Sequence, residues 1–141
     1  MAAISVEEAD QILRRNFAPW VLDLNMKVRA TTEQSATLVM PFDEKLHRAG
    51  GVMSGQALMA LADTAMVISL CSALGGFRPV FTVDLTTTFM RPATNTAVLA
   101  EATVLRLGRT MGFGEVRLLT DTSERQLVGN TIGSYSIPPA T

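Results

Sequence analysis

From Ala57 to Leu74 the chain is nearly all Ala, Leu, Met, Val and Ile, and Asp63 is the only charge in the run. A stretch this apolar cannot lie on a wet surface and must be covered by the rest of the fold. It approaches bilayer-spanning length, but it carries Asp63, Thr64, Ser69 and Ser72 and lacks clustered basic flanks. A central carboxylate is costly in lipid, and the remaining chain reads as strands that need a helix to cover them. A buried core helix is therefore expected. Burying an unpaired carboxylate is equally unfavourable, so Asp63 must be paired or used. Ser54-Gly55 opens the helix about two turns upstream, where free backbone N–H groups and the positive dipole end collect. Gly75-Gly76 closes it.

The elements around this helix follow from local signals. Ser5-Val6-Glu7-Glu8 is a capping-box pattern, followed by Ile12, Leu13 and Phe17 at helical spacing; the helix should stop near Ala18, before Pro19. Leu24 to Ala30 and Ser35 to Met40 read as short strands joined by a polar turn over Thr31 to Gln34. Pro41 to Gly51 is a loop rich in charge and glycine. After Pro79 the period becomes two: Phe81, Val83, Leu85, Thr87 and Phe89 alternate with Thr82, Asp84, Thr86, Thr88 and Met90. Three strands follow, Ala97 to Leu107, Thr110 to Asp121 and Gln126 to Ile137, on short polar turns that make neighbours antiparallel. One apolar helix then fits as the filling of a curved sheet, giving a single α+β domain over residues 1–141.

Composition narrows the function. The net charge is −1 with no basic block, and after Phe89 the aromatics are Phe113 and Tyr135, which gives nucleic-acid binding little support. One cysteine, Cys71, excludes an internal disulfide framework and argues against a thiolate metal cluster. The acidic N-terminus lacks a signal-peptide layout, so the default location is cytoplasmic and no membrane partner is expected. A hydrophobic fraction of 48% in a short chain points to apolar surface buried between subunits.

The run Arg48-x-x-Gly51-x-x-Ser54-Gly55-Gln56, followed by Leu61-Ala62-Asp63-Thr64-Ala65, resembles the loop-helix signature of the hotdog-fold acyl-CoA thioesterases of the phenylacetate-degradation (PaaI-like) group. In that family a carboxylate stands eight residues after the first glycine of a His-Gly-Gly step, the spacing of Asp63 from Gly55. Phe89-Met90-Arg91-Pro92 is similar to the family's Phe-Leu-Arg-Pro, and Leu107-Gly108-Arg109-Thr110 to its Gly-Arg/Lys turn. The resemblance covers nearly all of the chain after about Pro19. Three positions depart from it: Arg48 replaces the usual Asn or Gln, Ser54 the commoner His, and Gln56 the second Gly. A guanidinium donates hydrogen bonds but accepts none, so Arg48 cannot copy that amide.

The resemblance implies a homo-oligomer, a dimer or a dimer of dimers (homotetramer), that hydrolyses an aryl- or medium-chain acyl-CoA at sites between subunits. It implies no metal or redox cofactor. Asp63 is read as general base or nucleophile, and Gly55 as the N–H donor to the thioester oxygen, its missing side chain allowing close approach. The structural alternatives are an Asp bonded across a helix interface and a glycine chosen for its backbone angles. Arg91 and Arg109 are read as contacts to coenzyme A phosphates, with Arg91 alternatively pairing an acid at a strand end. Arg48, Gly51, Ser54 and Thr110 complete the expected substrate-binding set, and capping alone accounts for Ser54. His47, the lone histidine, is expected to serve in a loop. Met53, Met59 and Met66 are expected in the core. Phe17, Trp20 and Phe42 either line an acyl pocket or join the core. Two competing functions stand beside hydrolysis. One is a non-catalytic acyl-CoA-binding protein, mildly favoured by Arg48; the other is a hydratase or dehydratase, disfavoured because His47 sits in no acid-paired motif.

Overall fold

In a computed structural model, which describes residues 3–139, Ser5 caps helix α1 (Val6–Asn16). Its hydroxyl accepts the Glu8 N–H at 3.1 Å, and the Glu8 carboxylate accepts the Ser5 N–H at 3.4 Å. Met1 and Ala2, the start of the acidic N-terminal stretch, lie outside the described residues. A four-residue helix α2 (Pro19–Leu22) follows, with proline at its first position. The first strand, β1 (Lys27–Thr31), begins later than Leu24 because the Leu24 and Asn25 N–H groups bond back to Val21 and Leu22 and prolong the turn. β2 (Ser35–Met40) has the expected bounds.

The loop after β2 is more ordered than its composition suggests. A 3-10 turn (Glu44–Leu46) leads into a two-residue ladder, β3 (His47–Arg48) with β4 (Val52–Met53). Gly50 and Gly51 turn between them at φ +94° and +76°, backbone that side chains other than glycine rarely adopt.

Helix α3 (Gly55–Leu74) is held at both ends: the Ser54 hydroxyl accepts the Ala57 N–H at 3.2 Å, and Gly75 ends it in the left-handed conformation at φ +84°. By length and composition this helix could cross a membrane, but 67% of its 18-residue apolar window is buried inside the fold. It packs mainly on β2, β6 and β7 and also touches α1 and β5. The sheet adds β5 (Phe81–Phe89), β6 (Val98–Leu107), β7 (Met111–Thr120) and β8 (Leu127–Ser136). All pairs are antiparallel, in the order β1-β2-β6-β7-β8-β5. Gly112 and Gly114 let β7 close on the helix: a Cβ at Gly114 would lie 2.1 Å from Met66 Sδ, and one at Gly112 2.7 Å from Leu70 Cδ2. Met66 and Leu70 are one turn apart on α3, so a single helix face seats on two bare positions of one strand.

Several side chains sit where local pattern did not put them. Trp20 is 61% exposed and Met59 lies at the surface rather than in the core, whereas Met53 and Met66 are buried. Phe42 is partly exposed and meets the His47 ring edge-on at 4.7 Å. Strand β5 alternates as expected but buries neither face fully, leaving Phe81 and Val83 about three-fifths exposed (61% and 60%) and Phe89 half exposed (49%). It forms one edge of the sheet, with only β8 beside it and few contacts to α3.

Candidate active site

Asp63 projects from α3 toward the β5–β8 side of the sheet. Thr82 on β5 and Tyr135 on β8 are direct cross-strand partners, so their side chains share one face. Both hydroxyls donate to the same carboxylate oxygen: Thr82 Oγ1 reaches Asp63 Oδ1 at 2.9 Å and Tyr135 Oη reaches it at 2.7 Å. Asp63 Oδ2 makes no hydrogen bond among the described residues. The carboxylate lines a cavity of about 340 Å³ whose other walls include Phe17, Val67, Phe77, Val80 and Phe81. Phe17 therefore joins a pocket rather than the core alone, whereas Trp20 and Phe42 line neither this cavity nor the one beside Gly55.

Thr82 and Tyr135 are the two residues that sequence reasoning missed. One signal existed: Tyr135 is the only tyrosine, and a phenol on a strand that packs into the core needs a partner. Nothing local identified that partner.

Burial is the main force holding the Tyr135 phenol above its ordinary value of 10.0; the Asp63 charge and the hydrogen bond to it add to the shift, and the Thr82 contact opposes it. Burial likewise raises the Cys71 thiol above 9.0. A raised folded-state value means that each group holds its proton more tightly when folded. Its stabilising contribution is complete below the unfolded value and declines as pH rises above it. Thermal melts should therefore fall beyond about pH 9 and more steeply beyond 10, by about 1.4 kcal/mol per pH unit for each group. Tyr135→Phe should flatten the steeper segment; an unchanged alkaline slope would show that the phenol contributes nothing.

Gly55 lies at the open end of α3. Ala57 and Leu58 donate their N–H groups to the Ser54 side chain and carbonyl, which leaves the Gly55 and Gln56 N–H groups at the helix mouth. A Cβ at Gly55 would meet the Phe89 ring at 3.3 Å, so the bare backbone also lets that ring pack closely. A cavity of about 390 Å³ here is lined by Gly55, Arg48, Leu58, Phe89, Arg91 and Pro92. Arg91 has no acid partner among the described residues; its Nη1 reaches only the Leu127 carbonyl, at 3.5 Å. The strand-end ion pair considered for it does not form. Arg48 is exposed beside it.

The other expected residues are more scattered. Gly51 forms the β3–β4 turn and Ser54 is the helix cap. Arg109 and Thr110 are exposed on the β6–β7 turn and line neither cavity. His47 lies in β3, half-buried, with Nε2 buried and lacking a hydrogen-bond partner. Gly55 and Asp63 are eight residues apart on one helix, about 12 Å along its axis, and they open into different cavities of the same chain.

A family model described as the thioesterase superfamily matches residues 50–126, more than half of the chain. A protein of Halobacterium salinarum provisionally named an esterase is 31% identical over 122 residues, which span 80% of this chain and 79% of that one. Among solved structures, a provisionally named thioesterase from Silicibacter superposes with a TM-score of 0.87 at 26% identity, covering 99% of this chain and 95% of its own. The PaaI protein of the phenylacetic acid degradation operon of E. coli superposes at 0.82 with 18% identity, over 98% and 99% of the two chains, a likeness of fold.

Proposed function

Because this chain belongs to the thioesterase superfamily and has its hotdog fold, we propose that this hydrolase cleaves acyl-CoA thioesters carrying an aryl or medium-chain acyl group, with Asp63 as the reacting carboxylate. The observation that carries the reading is the state of that carboxylate: one oxygen is held by two hydroxyls, the other makes no hydrogen bond among the described residues, and Asp63 lines a mainly apolar cavity. Phe17, Phe77 and Phe81 give that cavity the surface an acyl group needs.

In the water route Asp63 takes a proton from water as its oxygen attacks the thioester carbon. The C–S bond then breaks with its electron pair going to sulfur, and the proton passes to the leaving thiolate. In the direct route Asp63 attacks the same carbon and the C–S bond breaks with its electron pair going to sulfur, giving a mixed anhydride and the thiolate. Water then cleaves the anhydride to the free acid and the Asp63 carboxylate, and its released proton goes to the thiolate. Either route needs a donor on the carbonyl oxygen, and the Gly55 N–H at the positive end of α3 suits that task. Within one chain it is too far from Asp63, so the donor would come from a second copy. The exposed β5 edge offers the surface for that copy to pair. Arg48 and Arg91 beside Gly55 have no acid partner among the described residues and suit coenzyme A phosphates.

A thiol-release assay across aryl- and straight-chain acyl-CoAs tests this directly. Turnover is expected on aryl or medium-chain esters, and silence across the panel would defeat the proposal. Arg109 is also assigned to the phosphates. Arg109→Ala should raise KM for acyl-CoA several-fold to a hundredfold with kcat little changed, the pattern of lost uniform binding. A charge-assisted contact is worth about 1.5–3 kcal/mol, against about 1 for an exposed ion pair, and added salt should shrink the difference. A short thioester lacking the nucleotide phosphates is the control: an equal loss on it would make Arg109 a structural residue.

A further inference from the structure

We propose that Tyr135 is the positioning residue of this site: with Thr82 it anchors Asp63 Oδ1 and thereby assigns Oδ2 as the oxygen that meets the substrate or water. The inference rests on the reading of Asp63 as the reacting carboxylate and goes beyond it by naming the atom that reacts and the residue that holds it.

Three observations converge. Tyr135 is fully buried, yet its hydroxyl reaches a side chain 72 residues earlier in the chain, on another element. A phenylalanine would fill the same space under α3, so the hydroxyl is the part of the side chain that packing does not require. The ring itself is fixed in place: a Cβ at Gly133 would meet Tyr135 Cε1 at 3.2 Å, so the bare position two residues back makes room for it. The pairing of Thr82 with Tyr135 then brings two donors to one oxygen rather than one to each. A carboxylate held at one oxygen keeps a defined orientation while its other oxygen is free to accept a proton or to attack carbon.

The phenol is suited to this task at all working pH values. Burial, and then the Asp63 charge, keep it protonated far beyond neutrality, so it donates whatever the state of the catalytic cycle. Asp63 from α3 is the charged group in contact with it. Arg78, on the segment before β5, lines the same cavity, but its guanidinium donates to the Pro138 carbonyl. Cys71, two turns further along α3, is buried and neutral.

Tyr135→Phe removes a single oxygen atom. It should lower kcat about ten- to a hundredfold, the range of one hydrogen bond to a charged group, with KM for acyl-CoA within about twofold of the wild type. A purely structural tyrosine would not give that split. Wild-type kcat in Tyr135→Phe, alongside an inactive Asp63→Asn, would overturn this inference and leave the catalytic reading of Asp63 standing. Turnover retained in Asp63→Asn would overturn both.

A second readout needs neither activity nor the Phe variant. Because Tyr135 is the sole tyrosine, the tyrosinate absorbance reports it alone. In the wild type the phenol should resist ionisation well above pH 10, and in Asp63→Asn, with the neighbouring charge gone, it should ionise at lower pH. Coincident titration curves would show that the two side chains are not coupled and would overturn the inference.

Discussion

Asp63→Asn should lower turnover at least a hundredfold while leaving fold and assembly intact. The amide is nearly isosteric with the carboxylate, and its carbonyl oxygen can still accept from the Tyr135 and Thr82 hydroxyls, so no buried donor is orphaned. What changes is the second oxygen, which becomes an NH₂ group that can neither take a proton from water nor attack a thioester carbon. Loss of a positioned acid or base is commonly worth about 10²–10⁴ in rate. Circular dichroism and light scattering should match the wild type, and thiol release should be nearly absent. Near wild-type release would make Asp63 a structural residue, bonded across the helix–sheet interface, and the proposed mechanism would fall.

Val83→Arg should convert the protein to a monomer and remove activity by a similar factor. Val83 sits at the irregularity between Thr82 and Asp84, about three-fifths exposed (60%), on a strand whose outer edge has no partner in the sheet. Phe81 and Phe89 add further exposed apolar surface to the same strand, and an unpaired apolar edge is a template for another strand. A cation buried in such a strand-to-strand contact would carry a desolvation cost. Loss of activity should follow loss of the dimer, because a single chain holds Gly55 and Asp63 about 12 Å apart, in different cavities. The measurement is light scattering at the assay concentration, paired with thiol release. A monomer with full activity would show that each chain carries a complete site.

How much of this was legible beforehand depends on how far apart the interacting residues lie in the chain. The helix caps were readable because a cap is settled within four residues: Ser5 with Glu8, Ser54 with Ala57, and Gly75 past the last turn. The bounds of β2 and the period of β5 were readable for the same reason. The start of β1 was not, since backbone bonds from Leu24 and Asn25 to the preceding short helix outweigh an apolar pattern that strand and turn share. The β3–β4 ladder was missed as well; two residues are too few to show a period, and the glycine turn looked like ordinary loop.

The sequence by itself determined that α3 is interior, because a run with one charge in Ala57 to Leu74 has no face that water can wet. It also determined that Asp63 must be satisfied or used, because an isolated carboxylate in such surroundings is too costly to keep. Tertiary structure alone decided how. Thr82 and Tyr135 converge on Asp63 only because β5 and β8 pair in one register, and that register depends on an irregularity between Thr82 and Asp84 and on turns elsewhere in the sheet. A one-residue slip of β5 against β8 would send the Thr82 hydroxyl to the opposite face and leave Tyr135 alone on Asp63. Tertiary structure also decided which glycines matter: Gly112 and Gly114 are bare because Leu70 and Met66 of a helix more than forty residues away occupy the space. Side-chain patterning acts over a few residues and fixes faces and caps, whereas cross-strand register and helix–sheet contact are set by the whole packed domain.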